Sequence, residues 1–242
     1  MPENNTAIVY FPSGGERSVV SRKKAGGKKE VYPLKKQEQR AAMQDYFLRN
    51  KDYTSFLYFA LGINMGFRGG DLAEMPWNAL LNEDGSIRST QEDTNKMREQ
   101  KTGKFRDVIL NPACVEAIKW YLKKTGITPN LWCAETRDYY VFPSKLSTMN
   151  GKPVYHVTDD TMGRVLKKAS KAVGIPFNVA THSLRKTYGY QQYKQGKDIT
   201  LLMKEFNHSS PAITLNYIGI TSDVIYDAHQ TMENNLVDLS QY

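Results

Sequence analysis

The sequence predicts an α+β fold, mostly helical, with a small antiparallel sheet. Three observations predict it. Most of the chain carries apolar residues at helical spacing between recognisable caps. One segment, residues 85–110, has strand-like composition and a tight-turn signal instead. Strand and helix patterns do not alternate as they would in a parallel βαβ sheet.

The helical pattern begins near Lys35, where "QEQRAAMQDYFLRN" spaces Ala42, Met43, Tyr46 and Phe47 along one face. Asp52 is a suitable N-cap for "YTSFLYFALGINMG", an apolar helix that Gly66 closes. "GDLAEMPWNALL" starts a further helix, which Pro76 stops. "GSIRSTQ" reads as a strand. "KMREQ" and "FRDVIL" read as a hairpin joined by "KTGK", with Gly103 supplying the turn backbone. In "NPACVEAIKWYLKKTG", Asn111 caps, Pro112 takes the first helical position and Gly126 ends the helix. "YYVFPS" reads as a short strand, and "TDDTMGRVLKKASKAVG" as an amphipathic helix. Four helical stretches follow in close succession: "THSLRKTYGYQQYKQG", "DITLLMKEFN", "SPAITLNY" and "SDVIYDAHQTMENNLVDL".

Composition narrows the function. The 242 residues carry a net charge of +8, which favours an anionic partner, and nucleic acid is the commonest. Residues 1–36 hold eight Lys/Arg against Glu3, Glu16 and Glu30, so most of the excess lies near the start. The chain divides into a basic flexible arm, residues 1–33, and one domain, residues 34–242. Lys23, Lys24, Lys28 and Lys29 of the Gly-rich arm suit either a solvated tail or a segment lying along phosphates. No run approaches the ~18 apolar residues of a membrane span. The start lacks the basic region of a secretory leader. Cys114 and Cys133 make neither a disulfide framework nor a zinc motif, which fits a reducing, cytoplasmic setting.

No metal-binding motif, phosphate loop or serine-nucleophile elbow is present. The notable residues are cationic and phenolic. His182 and Arg185 are three apart on a helix and share a face. His208 precedes Tyr217 by nine residues, Arg68 follows an apolar helix, and Lys101 starts the hairpin turn. Singly, each is unremarkable.

In this order the residues resemble the tyrosine recombinases, the phage-integrase family, over about Leu34 to Leu236. "MGFRGGDLAEMPWNAL" is similar to the family's first arginine box, with Arg68 as the arginine and Asp71 as the acidic residue behind it. "EQKTGKFRDVIL" is similar to its hairpin, with Lys101 as the lysine. "THSLRKTYGYQQYKQG" supplies His182 and Arg185, and "FNHSSPAITLNYIGI" supplies His208 and Tyr217. One departure is Asn207, where glycine is usual; asparagine is the best substitute if the backbone there is left-handed.

The resemblance implies a tyrosine-recombinase catalytic fold and a site-specific DNA recombinase that needs no metal, ATP or other cofactor. Arg68 and Arg185 would neutralise charge building on a phosphodiester. Tyr217, with an ordinary phenol pKa of about 10, would be activated by nearby arginines and by His182 as proton acceptor. Lys101 would protonate the departing 5′-oxygen, and His208 would donate to a non-bridging oxygen. Lys104 is the alternative lysine and, with Lys186, a candidate DNA contact. Tyr188, Tyr190 and Tyr193 are nearer in sequence to Arg185 but read as packing or DNA-facing residues. Trp77, Trp120 and Trp132 read as packing residues. Asp71 would orient a cationic neighbour.

Only 67 residues precede Arg68, so the resemblance leaves three readings: a minimal form with the basic arm in place of a clamping domain, an integrase with a shortened front, or a piece of a longer chain. The tail, residues 222–242, would either fold back on its own domain or, as the resemblance implies, dock on a neighbouring protomer within a tetramer on double-stranded DNA. The competing functions are a type IB topoisomerase, which shares the chemistry, and a non-catalytic DNA-binding regulator, which has no need of all six residue types.

Overall fold

The computed structural model describes residues 30–146, 148–220, 229–230 and 240. The arm lysines and nearly all of the tail lie outside the described residues. The described chain runs α1 (Gln37–Arg49), α2 (Tyr53–Met65), α3 (Gly69–Ala73), β1 (Asn95–Arg98), β2 (Phe105–Val108), α4 (Pro112–Thr125), β3 (Thr148–Met149), β4 (Lys152–Pro153), α5 (Asp159–Ala172), α6 (Thr181–Lys194), α7 (Ile199–Phe206) and α8 (Pro211–Ile218).

Helix α2 is the centre. A helix apolar on all sides must be buried on all sides. Leu57, Tyr58, Phe59 and Leu61 are fully enclosed, with α4, α6 and α1 packed around them. The expected caps are present. Asp52 accepts from the Ser55 N–H, and Asn111 accepts from the Cys114 N–H with Pro112 at the first helical position. Gly66 ends α2 in the left-handed region at φ 63°, and a side chain there would strike the Tyr188 ring. Helix α3 ends at Ala73, before Pro76, as its sequence predicts.

The strands differ from the sequence reading. β1 and β2 form the expected antiparallel hairpin, Asn95 opposite Val108 and Arg98 opposite Phe105, with Gly103 at φ 67° in its turn. Residues 85–91 do not form a strand. The Asp93 carboxylate accepts from the Ser89 and Thr90 N–H groups and Asp84 accepts from that of Ser86, so local side-chain turns take the donors a ladder would need. "YYVFPS" is extended but makes only single bridges, Tyr140 with Pro76 and Pro143 with His156. The two prolines lack the N–H groups a longer ladder requires. A second small hairpin, β3–β4, was not evident in the sequence. Trp77 is buried as expected, whereas Trp132 is 70% exposed and is not a packing residue.

Apolar burial is divided. The main core centres on α2. A satellite core of Tyr188, Leu202, Phe206, Ile218 and Ile220 underlies α7 and α8. Gly189 of α6 makes that packing close: a Cβ there would lie 2.6 Å from Ile218 and 2.7 Å from the Phe206 ring. The segment before α1 straps the same region. Leu34 is buried and donates its N–H to Thr187 Oγ1 at 2.8 Å, and Lys35 Nζ reaches the Gly219 carbonyl at the end of α8 at 2.6 Å.

Gly189→Ala is therefore expected to destabilise the protein by about 1–3 kcal/mol in denaturant unfolding, as overpacking of a rigid contact. Gly163→Ala, in α5 with open space around its Cβ, is the control and should be stabilising by about 0.4–1 kcal/mol.

Candidate active site

Each candidate side chain is placed by an element end. The left-handed turn at Gly66 ends α2 and sends the chain through buried Phe67 to Arg68, the extended N-cap of α3. Arg68 Nη1 lies 2.7 Å from Glu99 Oε2 and 4.0 Å from Asp71 Oδ2. Neither contact has hydrogen-bond direction, so the attraction is coulombic. Asp71 was expected to orient a cation by hydrogen bonding. Its Oδ1 instead accepts the Gln100 N–H at 2.9 Å, tying the hairpin turn to α3.

The turn carrying Lys101 is closed on itself. Gly103 N–H donates to Glu99 O, and Thr102 Oγ1 donates to Glu99 Oε2 at 2.7 Å. Lys101 is exposed, and Lys104 Nζ donates to Asn207 Oδ1 at 2.8 Å.

On α6, His182 is exposed in the first turn and Arg185 is buried one turn later. Arg185 donates to the Gly66 and Phe206 carbonyls, and its guanidinium lies 4.5 Å from the Phe206 ring centroid. Helix α7 ends at Asn207 with φ 56° and ψ 46°, the left-handed backbone that glycine or asparagine suits. Ser210 then caps α8, with Pro211 at its first position, and Tyr217 occupies the last turn. Three rings meet at this corner. The Phe206, His208 and Tyr217 rings lie edge-to-face, His208 and Tyr217 with centroids 5.1 Å apart. His208 Nδ1 is 3.0 Å from Thr214 Oγ1.

All six candidates, Arg68, Lys101, His182, Arg185, His208 and Tyr217, line one cleft of about 280 Å³, with Thr102, Phe206 and Asn207. A larger cleft of about 530 Å³ between residues 88–94 and the hairpin holds none of them. Lys186 is half-buried, its ammonium 5.3 Å from the Tyr217 ring centroid. Tyr188 is excluded as a rival nucleophile. It is buried, it donates to Glu205, and burial pushes its phenol pKa far up.

Electrostatics follow from burial against cationic neighbours. Burial raises the Tyr217 phenol above its usual value, and the Arg185 and Arg68 charges offset this only in part. The expected activation by arginine is therefore outweighed. Burial, then Arg185 and Arg68, lowers His208, keeping its ring neutral at neutral pH. Burial, then Arg106, brings Arg185 down to about 10, so it keeps its charge at neutral pH. Burial opposes ionisation of Glu99, but Thr102 and Arg68 outweigh it and hold its carboxyl below the usual range.

Three groups beside the site were missed in the sequence. Glu99 pairs with Arg68. Arg106 donates to the Met65 and Gly66 carbonyls and to Glu205. Thr214 meets His208. A signal existed for Glu99 alone, which stands two residues before Lys101, the spacing that puts two side chains on one side of an extended strand.

Because burial raises the Tyr217 pKa, its contribution to stability is complete below the unfolded phenol's value of about 10. It is lost as pH rises through the higher folded value. In ring-labelled protein, the Tyr217 resonance, assigned by Tyr217→Phe, should titrate at higher pH than those of exposed tyrosines, which are half ionised at about pH 10.

The family model described as the phage integrase family matches residues 28–222. The chain is 30% identical over 200 residues to the probable integrase/recombinase YoeC of Bacillus subtilis (strain 168), covering 83% of this chain and 96% of that protein. Its fold is similar to that of XerA recombinase, with TM-score 0.59, 21% identity, and 85% of this chain against 66% of that one. It is also similar to lambda integrase in a tetramer bound to a Holliday junction, with TM-score 0.51, 18% identity, and 88% of this chain against 53% of that one. The chain thus spans about two thirds or less of these two structures, and in both the likeness is one of fold. On the family match and the similarity to YoeC, together with the fold described above, the chain belongs to the phage integrase family and is a tyrosine recombinase.

Proposed function

We propose that this recombinase cuts and rejoins double-stranded DNA at specific sites through Tyr217, with Arg68, Arg185 and His208 holding the scissile phosphate. The observation that carries the reading is the convergence of all six side chains on one cleft from four separate parts of the chain. The Tyr217 phenolic oxygen attacks phosphorus while the bond to the 5′-oxygen breaks. His182 accepts the phenolic proton, and Lys101 supplies a proton to the departing oxygen. The products are a 3′-phosphotyrosyl link and a free 5′-hydroxyl. Attack by a 5′-hydroxyl reverses the step with the same bonds exchanged, so no ATP is consumed. Two buried or half-buried guanidinium groups suit the charge that develops on the non-bridging oxygens.

The basic arm lies along backbone phosphates, and Lys104, beside the cleft, contacts the strand being cut. Lys186 serves DNA from beside the nucleophile's ring. Self-association is supported by the similarity to lambda integrase in a tetramer, and on this reading the tail that follows Tyr217, residues 222–242, docks on a neighbouring protomer in a tetramer on paired sites. None of the described helices is long and apolar enough to cross a membrane.

The decisive test uses a nicked DNA carrying the recombination site, from which the short product strand diffuses away and traps the covalent complex. An adduct should form in chelator, and Tyr217→Phe should abolish it while leaving DNA affinity unchanged. An adduct surviving in Tyr217→Phe removes the nucleophile assignment. Deleting residues 1–29 should weaken binding and flatten the slope of log affinity against log salt, by about 0.9 for each phosphate the arm had neutralised.

A further inference from the structure

The lysine assigned as general acid stands on an exposed hairpin turn, while the phosphate-binding arginines stand on the body of the domain. A proton donor must be held within about 2.6–3.2 Å of the atom it protonates. An exposed turn does not by itself meet that requirement. What fixes the turn is visible around Glu99.

Glu99 is 6% exposed, although it immediately follows β1 at the start of the turn. Its carboxylate makes two contacts through one oxygen, Arg68 Nη1 at 2.7 Å and Thr102 Oγ1 at 2.7 Å. Its backbone carbonyl accepts the Gly103 N–H at 2.8 Å, and its N–H donates to Lys104 O at 2.9 Å. Lys101 is therefore bracketed by residues 99 and 102, which are bonded to each other, and the bracket is pinned to Arg68. The neighbouring tie, Gln100 N–H to Asp71, restrains backbone only, and Asp71 stands farther from the arginine, 4.0 Å from Nη1 against 2.7 Å for Glu99.

We infer that Glu99 is a positioning residue: by pairing with Arg68 it sets Lys101 at a fixed offset from the phosphate that Arg68 holds. The inference rests on the reading of Lys101 as general acid. Arg68 Nη1 is fully enclosed, so the part of the side chain lining the cleft is left for the phosphate. One guanidinium thus touches both the phosphate and the turn that serves it. The Arg68 and Glu99 side chains are 18% and 7% exposed, so the pair is screened little by salt, unlike a surface ion pair.

The effect of Glu99 can be separated from a general loss of phosphate grip by changing the leaving group. A DNA whose scissile 5′-bridging oxygen is replaced by sulfur expels a thiolate, which needs no proton, since thiols ionise near about 8.5. Single-turnover cleavage should be measured for the wild type, Glu99→Gln and Lys101→Ala on the oxygen and sulfur substrates. Glu99→Gln should slow the oxygen substrate by about 10–100-fold, as a misplaced group does. It should remain within about threefold of wild type on the sulfur substrate, with a melt that is lowered by loss of the buried pair but still well above the assay temperature. Lys101→Ala should show the same pattern with a larger loss on oxygen. If Glu99→Gln is slow on both substrates while Lys101→Ala is rescued by sulfur, Glu99 acts through Arg68 alone and the inference is overturned. It is equally overturned if Glu99→Gln cleaves both at wild-type rates. If Lys101→Ala is not rescued by sulfur, the general-acid reading falls, and the inference falls with it.

Discussion

The site depends on how one buried guanidinium is satisfied. Arg185 is 2% exposed and has no carboxylate within ion-pair distance among the described residues. It is held by the ends of two helices: the Gly66 carbonyl where α2 stops and the Phe206 carbonyl where α7 stops. Helix C-termini carry unpaired carbonyls and partial negative charge, so they suit a buried cation. Both helices end in a left-handed residue, Gly66 and Asn207. Arg106 from β2 uses the same Gly66 carbonyl, which ties the hairpin into this node. Neutral carbonyls, unlike a carboxylate, orient the guanidinium without cancelling its charge, which leaves that charge for an anion in the cleft.

The proposed nucleophile stands on a different support. Tyr217 is borne by an eight-residue helix over the small satellite core, not by the main core around α2. Three things compensate for that short helix: the contact at Gly189, the cap at Ser210 and the strap that ends at the Lys35–Gly219 bond. The strap matters because the basic arm leads directly into it. The same few residues connect the proposed phosphate-tracking segment, in sequence, to the Lys35 contact at the end of α8.

Legibility in the sequence followed the range of the physics. Caps, turns and helical stripes are local, and Asn111–Pro112, Gly66 and the left-handed Asn207 could be read from a few neighbouring residues. The six cleft residues were legible because their types and order form a pattern, even though Arg68 and Tyr217 are far apart. Their partners were not legible. The Glu99–Arg68 pair, the Arg106 bonds to α2 and the Thr214–His208 contact depend on how the hairpin and the α7–α8 corner dock, which no local rule specifies. The misread strands have a similar cause: strand-like composition at 85–91 lost to side-chain turns around Asp84 and Asp93, and that at 139–144 was cut short by Pro76 and Pro143.

The altered reading of Tyr217 constrains the chemistry. The arginines do not produce a standing phenolate, because burial outweighs them. A bound phosphodiester brings negative charge against those same guanidinium groups and reduces their help further. If Tyr217 is the nucleophile as proposed, its proton would leave as the bond to phosphorus forms, to a nearby acceptor. His182 lines the cleft from the exposed first turn of α6, open to solvent, whereas His208 is disfavoured as a cation by its burial and by both arginines. That difference fits the proposed division, with His182 as proton acceptor and His208 as phosphate contact. On the proposed reading, rejoining would reverse the roles: Lys101 would take the proton of the incoming 5′-hydroxyl, and His182 would return one to Tyr217.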